Sequence, residues 1–416
     1  MLDNEFLSLP LIGHPMLNAT DIAKSDYISI LKTLVNMFAH GNTWSDASAA
    51  AYAEYFGVLE ARELSESELA INIRNLTADR FSFRTFRITT FRHLLIFDVL
   101  FLVAYGNEQN GRTVTDFILP LLRKKHRKDV LKLIDLLYNT ASHDGKFMSA
   151  KHLIGCWRQN SRFTELPLTH ILVTATMSAG KSTLINTLFG DDVFAARNEV
   201  CTDRTQTVCN KPFRDGVVYR DGDSSALFSE SLVGSRLCLI DTPGVNSARY
   251  PAHRDITRTT IAAGQYDLLL YIISATQIGV TDDDAHLRYV LAKKPPNVSI
   301  VFVLNKLDTF NEDDSVCGSI DRLRDRLIEY GIAEPLICPV SATVGRLAKK
   351  DYNNVPLSEI ESVFYDAYIE AFGTPELDLS VYYPHETVPD KPPLYLQSGL
   401  AGLEQTILQI SEGLQR

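Results

Sequence analysis

One short segment near the middle of the chain, residues 175–182 (Ala-Thr-Met-Ser-Ala-Gly-Lys-Ser), constrains the fold more than any other part of the sequence. It lies directly behind the apolar run 171–174 and directly ahead of the apolar segment 184–188, which is the order of a strand, a tight loop and a helix. A loop of this kind that ends in Gly-Lys-Ser points successive backbone N–H groups at a polyphosphate. The sequence therefore predicts a phosphate-binding loop, or P-loop, at the start of a helix.

Two side chains at the end of this loop have the chemistry that a bound nucleotide needs. Lys181 supplies a positive point charge to the β- and γ-phosphates, and the hydroxyl of Ser182 supplies a ligand for Mg²⁺. The eight-residue pattern of a P-loop begins with Gly, and Ala175 occupies that place here. The residues of this segment and directly after it that we expect to contact the nucleotide are Ala175, Met177, Ser178, Ala179, Gly180, Lys181, Ser182 and Thr183.

A second motif, Asp241-Thr-Pro-Gly244, follows the short buried-strand pattern 237–240. A carboxylate at the end of a strand can hold Mg²⁺ through water, and the N–H of Gly244 can reach the γ-phosphate. We therefore expect Asp241 to join Ser182 in binding the metal ion.

The third motif, Asn305-Lys306-Leu-Asp308, follows the β-rich run 298–304 and identifies the base. A carboxylate at the position of Asp308 accepts two hydrogen bonds from guanine, one from N1–H and one from the exocyclic amine. Adenine offers neither donor at that place, so the missing bonds would reject it. The motif therefore predicts a guanine site.

The fourth motif, Ser341-Ala342, follows the run 336–340 and brings a backbone N–H to the guanine carbonyl. Four motifs in this order, each behind a predicted strand, indicate GTP and GDP as ligands with Mg²⁺ as the metal. An ATP site is the alternative, and it requires the position of Asp308 to be coincidental.

The rest of the chain predicts two domains. Residues 1–165 have helical apolar spacing without a period of two, which predicts an all-helical N-terminal domain. Residues 166–416 alternate strand and helix patterns, which predicts an α/β P-loop GTPase domain with a mainly parallel sheet and helices on both faces. Between the P-loop helix and residue 236 we expect a switch loop and a strand over 216–220. An insertion at about 345–397 precedes the closing helix.

Composition restricts the partners and the compartment. The net charge of −10 argues against a general nucleic-acid surface, so nucleic acid is not an expected partner. The six cysteines form no Cys-x-x-Cys pair, and the N-terminus has no basic region followed by a signal core. The longest apolar run, 94–105, is too short to span a bilayer. A cytoplasmic location is expected.

The segment 177–186 resembles the dynamin superfamily, especially its bacterial members, in which a Ser typically stands three residues before the P-loop Lys, as Ser178 does here. The Asp-Thr-Pro-Gly and Asn-Lys-x-Asp motifs are also that family's forms. The resemblance covers roughly residues 165–345 and the closing helix. It implies that Thr202 is the switch threonine that engages Mg²⁺ and the γ-phosphate, with Thr205 as the alternative. Catalysis would then depend on Ser178, Lys181 and Thr202.

The sequence departs from that family in ways that affect hydrolysis. Met177 stands where dynamins have Gln, and the apolar Val245 stands where Ras-like proteins have the Gln that orients water. Intrinsic hydrolysis should therefore be slow unless a partner protomer or a bound cation completes the site, and the resemblance implies a homodimer across the nucleotide face. Candidates for this completing role are Ser178, Asn246, Arg197 and Arg204, each of which is otherwise an ordinary solvated loop residue.

Three classes of function remain open at this stage. The first is a Mg²⁺-dependent GTPase that acts as a conformational switch, with a protein effector bound through the helical domain. The second is a GTP- and GDP-binding switch with negligible hydrolysis, and the third is a membrane-associated mechanochemical GTPase. The sequence has no helical stalk behind the GTPase domain and no lipid-binding insertion, so it does not support membrane binding.

Three charged segments outside the motifs have ordinary structural explanations that we favour. The basic and aromatic segment 80–87 fits an amphipathic helix that docks its aromatic side chains better than a nucleic-acid or lipid surface. The basic segment 123–128 fits a solvated helix junction. The acidic triplet 282–284 is explained by a helix N-terminus.

Overall fold

A computed structural model of the chain describes residues 7–78, 91–139, 150–176, 178–190, 193, 205–217, 219–221, 224–228, 234–245, 252–279, 281–310, 314–384 and 391–414. The chain divides into two compact units. The helical unit comprises Met1–Glu165 together with Pro212–Val217, and the α/β unit comprises Leu166–Lys211 and Val218–Arg416.

The helical unit contains seven α-helices in its described residues. Local hydrogen bonds cap several of their N-termini: Ser65 and Glu68 form a reciprocal capping box, and the side chains of Thr20 and Asn42 each accept a bond from a first-turn N–H. The helices are α1 (Asp21–Phe38), α2 (Thr43–Tyr55), α3 (Glu66–Leu76), α4 (Phe91–Ala104), α5 (Glu108–Ile118), α6 (Lys124–Tyr138) and α7 (Lys151–Thr164).

Helix α4 carries a buried charge at the centre of this unit. Asp98 is fully buried, and its carboxylate accepts hydrogen bonds from Tyr52 Oη (2.9 Å), from His14 Nε2 (3.0 Å) and from Tyr27 Oη. A buried carboxylate is tolerated when donors satisfy its oxygens. The apolar run that contains Asp98 is therefore the core helix of a packed bundle.

Residues 212–217 fold with the helical unit although they lie between two strands of the α/β unit in sequence. Asp215 Oδ2 accepts a hydrogen bond from the N–H of Leu9 (2.8 Å), and Ser8 Oγ donates to the carbonyl of Phe213 (2.5 Å). The predicted strand over 216–220 is wrong at its start, because Gly216 and Val217 lie outside any strand. The segment makes long-range hydrogen bonds to Ser8 and Leu9 instead, and the local pattern contains no information about them.

The described part of the α/β unit contains one eight-stranded sheet in the order β3-β4-β2-β5-β1-β6-β7-β8. Strands β5, β1, β6, β7 and β8 are parallel, β2 is antiparallel to β5, and β3 is antiparallel to β4. The prediction of a mainly parallel sheet is therefore confirmed. The strands are β1 (Leu168–Ala175), β2 (Gln206–Lys211), β3 (Tyr219–Asp221), β4 (Ser224–Phe228), β5 (Arg236–Asp241), β6 (Leu268–Ser274), β7 (Ser299–Asn305) and β8 (Ile337–Pro339).

Near-continuous apolar strands explain why this sheet is buried. Every residue of β6 is buried, and the last five residues of β1 and of β7 are buried as well. Such runs are typical of parallel strands that are covered on both faces. The helices of the α/β unit are α8 (Lys181–Phe189), α9 (Ala252–Ala263), α10 (Thr281–Lys293), α11 (Val316–Glu329), α12 (Ala342–Tyr352), α13 (Glu359–Phe372), α14 (Pro393–Gln397) and α15 (Leu400–Leu414).

The insertion is helical and is joined to the closing helix α15 by a buried ion pair. Lys349 on α12 donates to Glu404 on α15 (2.7 Å) and to the carbonyl of Leu188 on α8 (2.7 Å). Tyr395 on α14 donates to the same carboxylate (2.9 Å). The side chains of the ion pair are 3% and 4% exposed. One lysine therefore links three helices of this unit.

Among the described residues, none of the helices is both long and apolar enough to cross a membrane.

Candidate nucleotide-binding site

The four motifs lie at one edge of the sheet. Strands β1, β5, β7 and β8 run parallel and end at Ala175, Asp241, Asn305 and Pro339. The carboxyl ends of parallel strands meet at the same edge, where open α/β sheets bind their ligands. Segments that lie far apart in sequence are thereby brought together.

Asn305 connects the P-loop to the fourth motif. Its side-chain amide donates to the carbonyl of Ala179 (2.9 Å), and its side-chain oxygen accepts from the N–H of Ala342 (3.0 Å). The residue is 2% exposed. Asn305 therefore connects the two loops by hydrogen bonds, and its contact with a nucleotide stays a prediction.

The glycine of the P-loop is required by this packing. Gly180 has φ = +90°, a left-handed conformation that residues with a Cβ atom rarely adopt. An added Cβ at this position would also lie 2.4 Å from Nδ2 of Asn305. The absence of a side chain at Gly180 therefore lets the P-loop backbone approach the side-chain amide of Asn305, which donates to the carbonyl of Ala179.

Lys181 and Asp241 form an ion pair at the mouth of the P-loop. Lys181 is the first residue of α8 and is 9% exposed, and Asp241 is fully buried. The positive charge that the sequence assigns to phosphates is therefore neutralised by the carboxylate that it assigns to the metal ion. In place of this internal ion pair, a bound phosphate would pair with Lys181 and a bound Mg²⁺ would pair with Asp241.

One hydroxyl group orients Asp308, the residue that is predicted to bind the base. Ser341 Oγ donates to Asp308 Oδ1 (2.6 Å) and accepts from the N–H of Val344 (3.3 Å). Lys306 has φ = +68°, so the backbone turns sharply between Asn305 and Asp308. The Asp308 carboxylate is thus held in one orientation, as recognition of a planar base requires.

The second motif is anchored by two threonines. Thr242 donates to the carbonyl of Val173 (3.0 Å) on β1, and Thr257 on α9 donates to the carbonyl of Pro243 (2.7 Å). These two hydrogen bonds hold the backbone between Asp241 and Gly244 in place. Val245, the next residue, is buried and carries no group that could orient a water molecule.

The structure describes two of the residues that were predicted to act in catalysis or as the switch threonine. Ser178 is exposed and has a left-handed φ of 63°. Thr205 is also described, and its hydroxyl lies 3.4 Å from that of Thr260 on α9. The predicted residues that lie outside the described ranges are Met177, Arg197, Thr202, Arg204 and Asn246.

Sequence reasoning missed a buried acid behind the P-loop. Asp283, in the first turn of α10, is 7% exposed. It accepts hydrogen bonds from Tyr271 Oη (3.0 Å) and from Thr176 Oγ1 (3.5 Å). Burial raises the pKa of Asp283 to about 6. No local signal identifies this contact, because Thr176 and Asp283 are 107 positions apart in sequence.

A histidine on the same helix as Asp283 contacts β1, the strand that precedes the P-loop. His286 Nε2 lies 3.0 Å from Oγ1 of Thr174, and burial lowers the pKa of His286 to about 4. Thr174 and Thr176 are thus both held from α10. One acid of the predicted triplet, Asp283, therefore contacts the P-loop in addition to lying in the first turn of a helix.

Asp283→Asn is expected to change how stability depends on pH. The folded-state pKa of Asp283 is raised above its unfolded value, so its contribution to stability is fully present below about pH 4 and is lost as the pH rises through about 6. Relative to the variant, the wild type should therefore gain roughly 1–3 kcal/mol of unfolding free energy between pH 7.5 and pH 4.5. Urea unfolding of both proteins at the two values measures the difference.

The neighbouring His286 is present in both proteins, so its own titration largely cancels in this comparison. Equal differences in unfolding free energy at the two pH values would contradict the raised pKa of Asp283.

The fold and the four motifs define a P-loop GTPase domain, and a family comparison agrees. Residues 170–306 match the model of a family described as "50S ribosome-binding GTPase". The prediction of a P-loop GTPase domain is therefore confirmed.

Curated relatives are similar over the same part of the chain. GTPase Era of Trichlorobacter lovleyi is 28% identical over 193 residues, which is 45% of this chain and 55% of that protein. GTPase Era of Actinobacillus pleuropneumoniae serotype 3 is 25% identical over 178 residues, which is 42% and 49% of the two chains. The chain thus spans about half the length of the curated relatives it matches.

Solved structures give weaker likenesses. A crystal structure of Era with MgGDPNP and nucleotides 1506–1542 of 16S ribosomal RNA is 20% identical, covers 47% of this chain and 59% of that chain, and has a TM-score of 0.32. A structure of an oligomerised bacterial dynamin pair is 14% identical, covers 96% and 62%, and has a TM-score of 0.35. Likenesses of this extent do not distinguish between classes of GTPase.

Proposed function

We propose that this protein is a Mg²⁺-dependent GTPase that binds GTP and hydrolyses it to GDP and phosphate. The observation that carries the proposal is the arrangement around Asn305, which holds the P-loop and the base-binding motif by two hydrogen bonds. The oriented carboxylate of Asp308 supports guanine as the base.

Each predicted residue has one task in this proposal. Lys181 leaves Asp241 and binds the β- and γ-phosphates, while backbone N–H groups from Ala179 to Thr183 surround the phosphates. Ser182 and Asp241 offer the hydroxyl and carboxylate oxygens that suit a hard cation. Mg²⁺, when bound, neutralises charge on the β- and γ-phosphates. Thr202 is the proposed switch threonine, and Thr205 is the alternative.

Single-turnover hydrolysis of GTP, with protein in excess, tests this function directly. The expected result is conversion of the bound GTP to GDP in the wild type and no conversion in Lys181→Ala. Tight binding of GTP without conversion would instead support a binding switch that recruits a partner. That second candidate is favoured by Val245, since this buried apolar residue cannot orient the attacking water.

The dynamin-like part of the proposal is a homodimer that completes the catalytic site. Because Val245 cannot orient water, a group from a second copy of the chain, such as Ser178, Arg197, Arg204 or Asn246, would do so. Turnover per molecule should then rise with protein concentration. A rate per molecule that stays constant over a hundredfold dilution would argue against this dimer.

The remaining partners are also proposals. A conformational switch could act on a protein effector through the helical unit, because residues 212–217 belong to that unit and follow β2 directly in the chain. The expectation from the net charge of −10 that nucleic acid is not a partner is not retained, because the Era structure named above holds nucleotides of 16S ribosomal RNA. Liposome co-sedimentation with and without GTP tests the mechanochemical alternative.

Asp308→Asn is expected to change the preferred base from guanine to xanthine. The amide can donate to the 2-carbonyl of xanthine but no longer accepts both bonds from guanine, so GDP affinity should fall by at least about a hundredfold. Titration calorimetry with GDP and XDP measures both effects. Asp325→Asn, an exposed residue on α11, is the matched control, and an unchanged preference in Asp308→Asn would refute the base-reading role.

A further inference from the structure

A cavity of about 310 Å³ opens beside the proposed nucleotide site. Three helices line it: Thr183 lies on α8, Thr343 and Arg346 lie on α12, and Phe364 and Tyr368 lie on α13. A volume near 300 Å³ is at the lower end of the range for small-molecule pockets. The predicted insertion thus contributes one whole wall of this cavity.

The cavity adjoins both ends of the proposed nucleotide site. Thr183 directly follows Ser182 at the phosphate end, and Thr343 directly follows Ala342 at the base end. The hydroxyl of Thr187 on α8 donates to the carbonyl of Ala342 (3.0 Å), which holds the two ends together. A nucleotide that reaches from the P-loop to Asp308 therefore passes the mouth of the cavity.

The wall from α13 is aromatic and incompletely covered. The rings of Phe364 and Tyr368 are stacked, with centroids 6.2 Å apart and planes at 24°. Phe364 is 52% exposed, whereas Tyr368 is half-buried and packs against the core. Burial, and to a smaller extent the charge of Asp308, raises the pKa of Tyr368.

A polar contact that involves Glu361, a residue of the cavity lining, joins two of the three helices. Lys350 donates to Glu361 (2.6 Å) and joins α12 to α13. Glu361 also caps α13, because Ser358 and Glu361 form a capping box. The aromatic pair is therefore held at a fixed distance from α12 before any ligand arrives.

We propose that α13 is part of the nucleotide-binding site, and that Phe364 and Tyr368 form an aromatic wall for the purine and ribose of a bound guanine nucleotide. The inference rests on the proposed function, since it requires a guanine nucleotide between the P-loop and Asp308. Aromatic side chains pack on any base through its π-face, so this wall adds affinity while Asp308 sets the choice of base. It gives the insertion a direct role in nucleotide binding.

Titration calorimetry with GDP and Mg²⁺ tests the wall. Phe364→Ala and Tyr368→Ala are each expected to weaken GDP binding by about tenfold. Tyr368→Phe keeps the ring and should stay within about twofold of the wild type. Ile360→Ala and Val363→Ala are the matched controls, because these residues lie on the same helix, are 70% and 69% exposed, and do not line the cavity.

Thermal melting without nucleotide accompanies each titration. Phe364 is exposed, so we expect Phe364→Ala to fold normally. If Tyr368→Ala is unstable, the GDP affinity of Phe364→Ala alone decides the test. Wild-type affinity in both alanine variants, or an equal loss in Ile360→Ala and Val363→Ala, would overturn the aromatic wall.

The failure of the proposed function has a different signature. If the wild type binds no guanine nucleotide, both the function and the wall are wrong. If the wild type binds GDP and Lys181→Ala does not, but Phe364→Ala and Tyr368→Ala both bind like the wild type, the function stands and the wall alone is wrong.

Discussion

Lys181→Ala should abolish binding of GTP and GDP, with a loss of affinity of at least about a hundredfold. The variant should also unfold more easily in the absence of nucleotide, by roughly 3 kcal/mol, because it leaves the carboxylate of Asp241 buried without its charge partner. Titration calorimetry with GDP and urea unfolding of the free protein measure the two effects.

A double variant separates these two consequences of one substitution. Lys181→Ala/Asp241→Asn removes both charges, so much of the stability should return while nucleotide binding remains absent. Lys293→Ala, an exposed position in the last turn of α10, is the control for loss of a lysine. Detectable GDP binding in the stable double variant would contradict the role of Lys181.

Lys349→Met should cost roughly 3–5 kcal/mol of unfolding free energy, because it leaves the buried carboxylate of Glu404 without its cation. The substitution also removes the donor to the carbonyl of Leu188, so it loosens α8, the helix that begins at the P-loop. Urea unfolding of the free protein measures the loss.

Lys349→Met/Glu404→Gln tests whether the unpaired charge causes this loss. The amide of Gln keeps an oxygen that can accept from Tyr395, so the double variant should lose only about 1–2 kcal/mol. A double variant that is less stable than Lys349→Met would show that the charge is not the cause.

The site as predicted from sequence is a set of short, local features. A Gly-Lys-Ser loop, an Asp-Thr-Pro-Gly turn and an Asn-Lys-x-Asp turn each contain their own donors and acceptors, so the residues reveal the chemistry without knowledge of the fold. Strands β1 and β7, in front of the first and third motifs, were also predictable, because their apolar runs are long enough to require burial on both faces.

Prediction was least accurate where a segment depends on distant partners. Residues 216 and 217 were expected in a strand, but the segment 212–217 is held by Ser8 and Leu9 of the helical unit. Strand β2 was not predicted, since only two of its six residues are apolar, and its Asn210 donates to the carbonyl of Ser235 (2.7 Å) next to β5. Local periodicity contains no information about such contacts.

The sequence by itself determined the class of fold and the proposed ligand chemistry, because the four motifs and the strands before them act through neighbouring atoms in the chain. The tertiary structure decided what surrounds these motifs: the amide of Asn305 that bonds two loops, the acid of Asp283 that contacts Thr176, and the aromatic rings of α13 in a cavity that Thr183 and Thr343 also line. These groups are brought together by the parallel sheet and by a helical insertion. Their contacts exist only after distant segments have packed, so no short stretch of sequence encodes them.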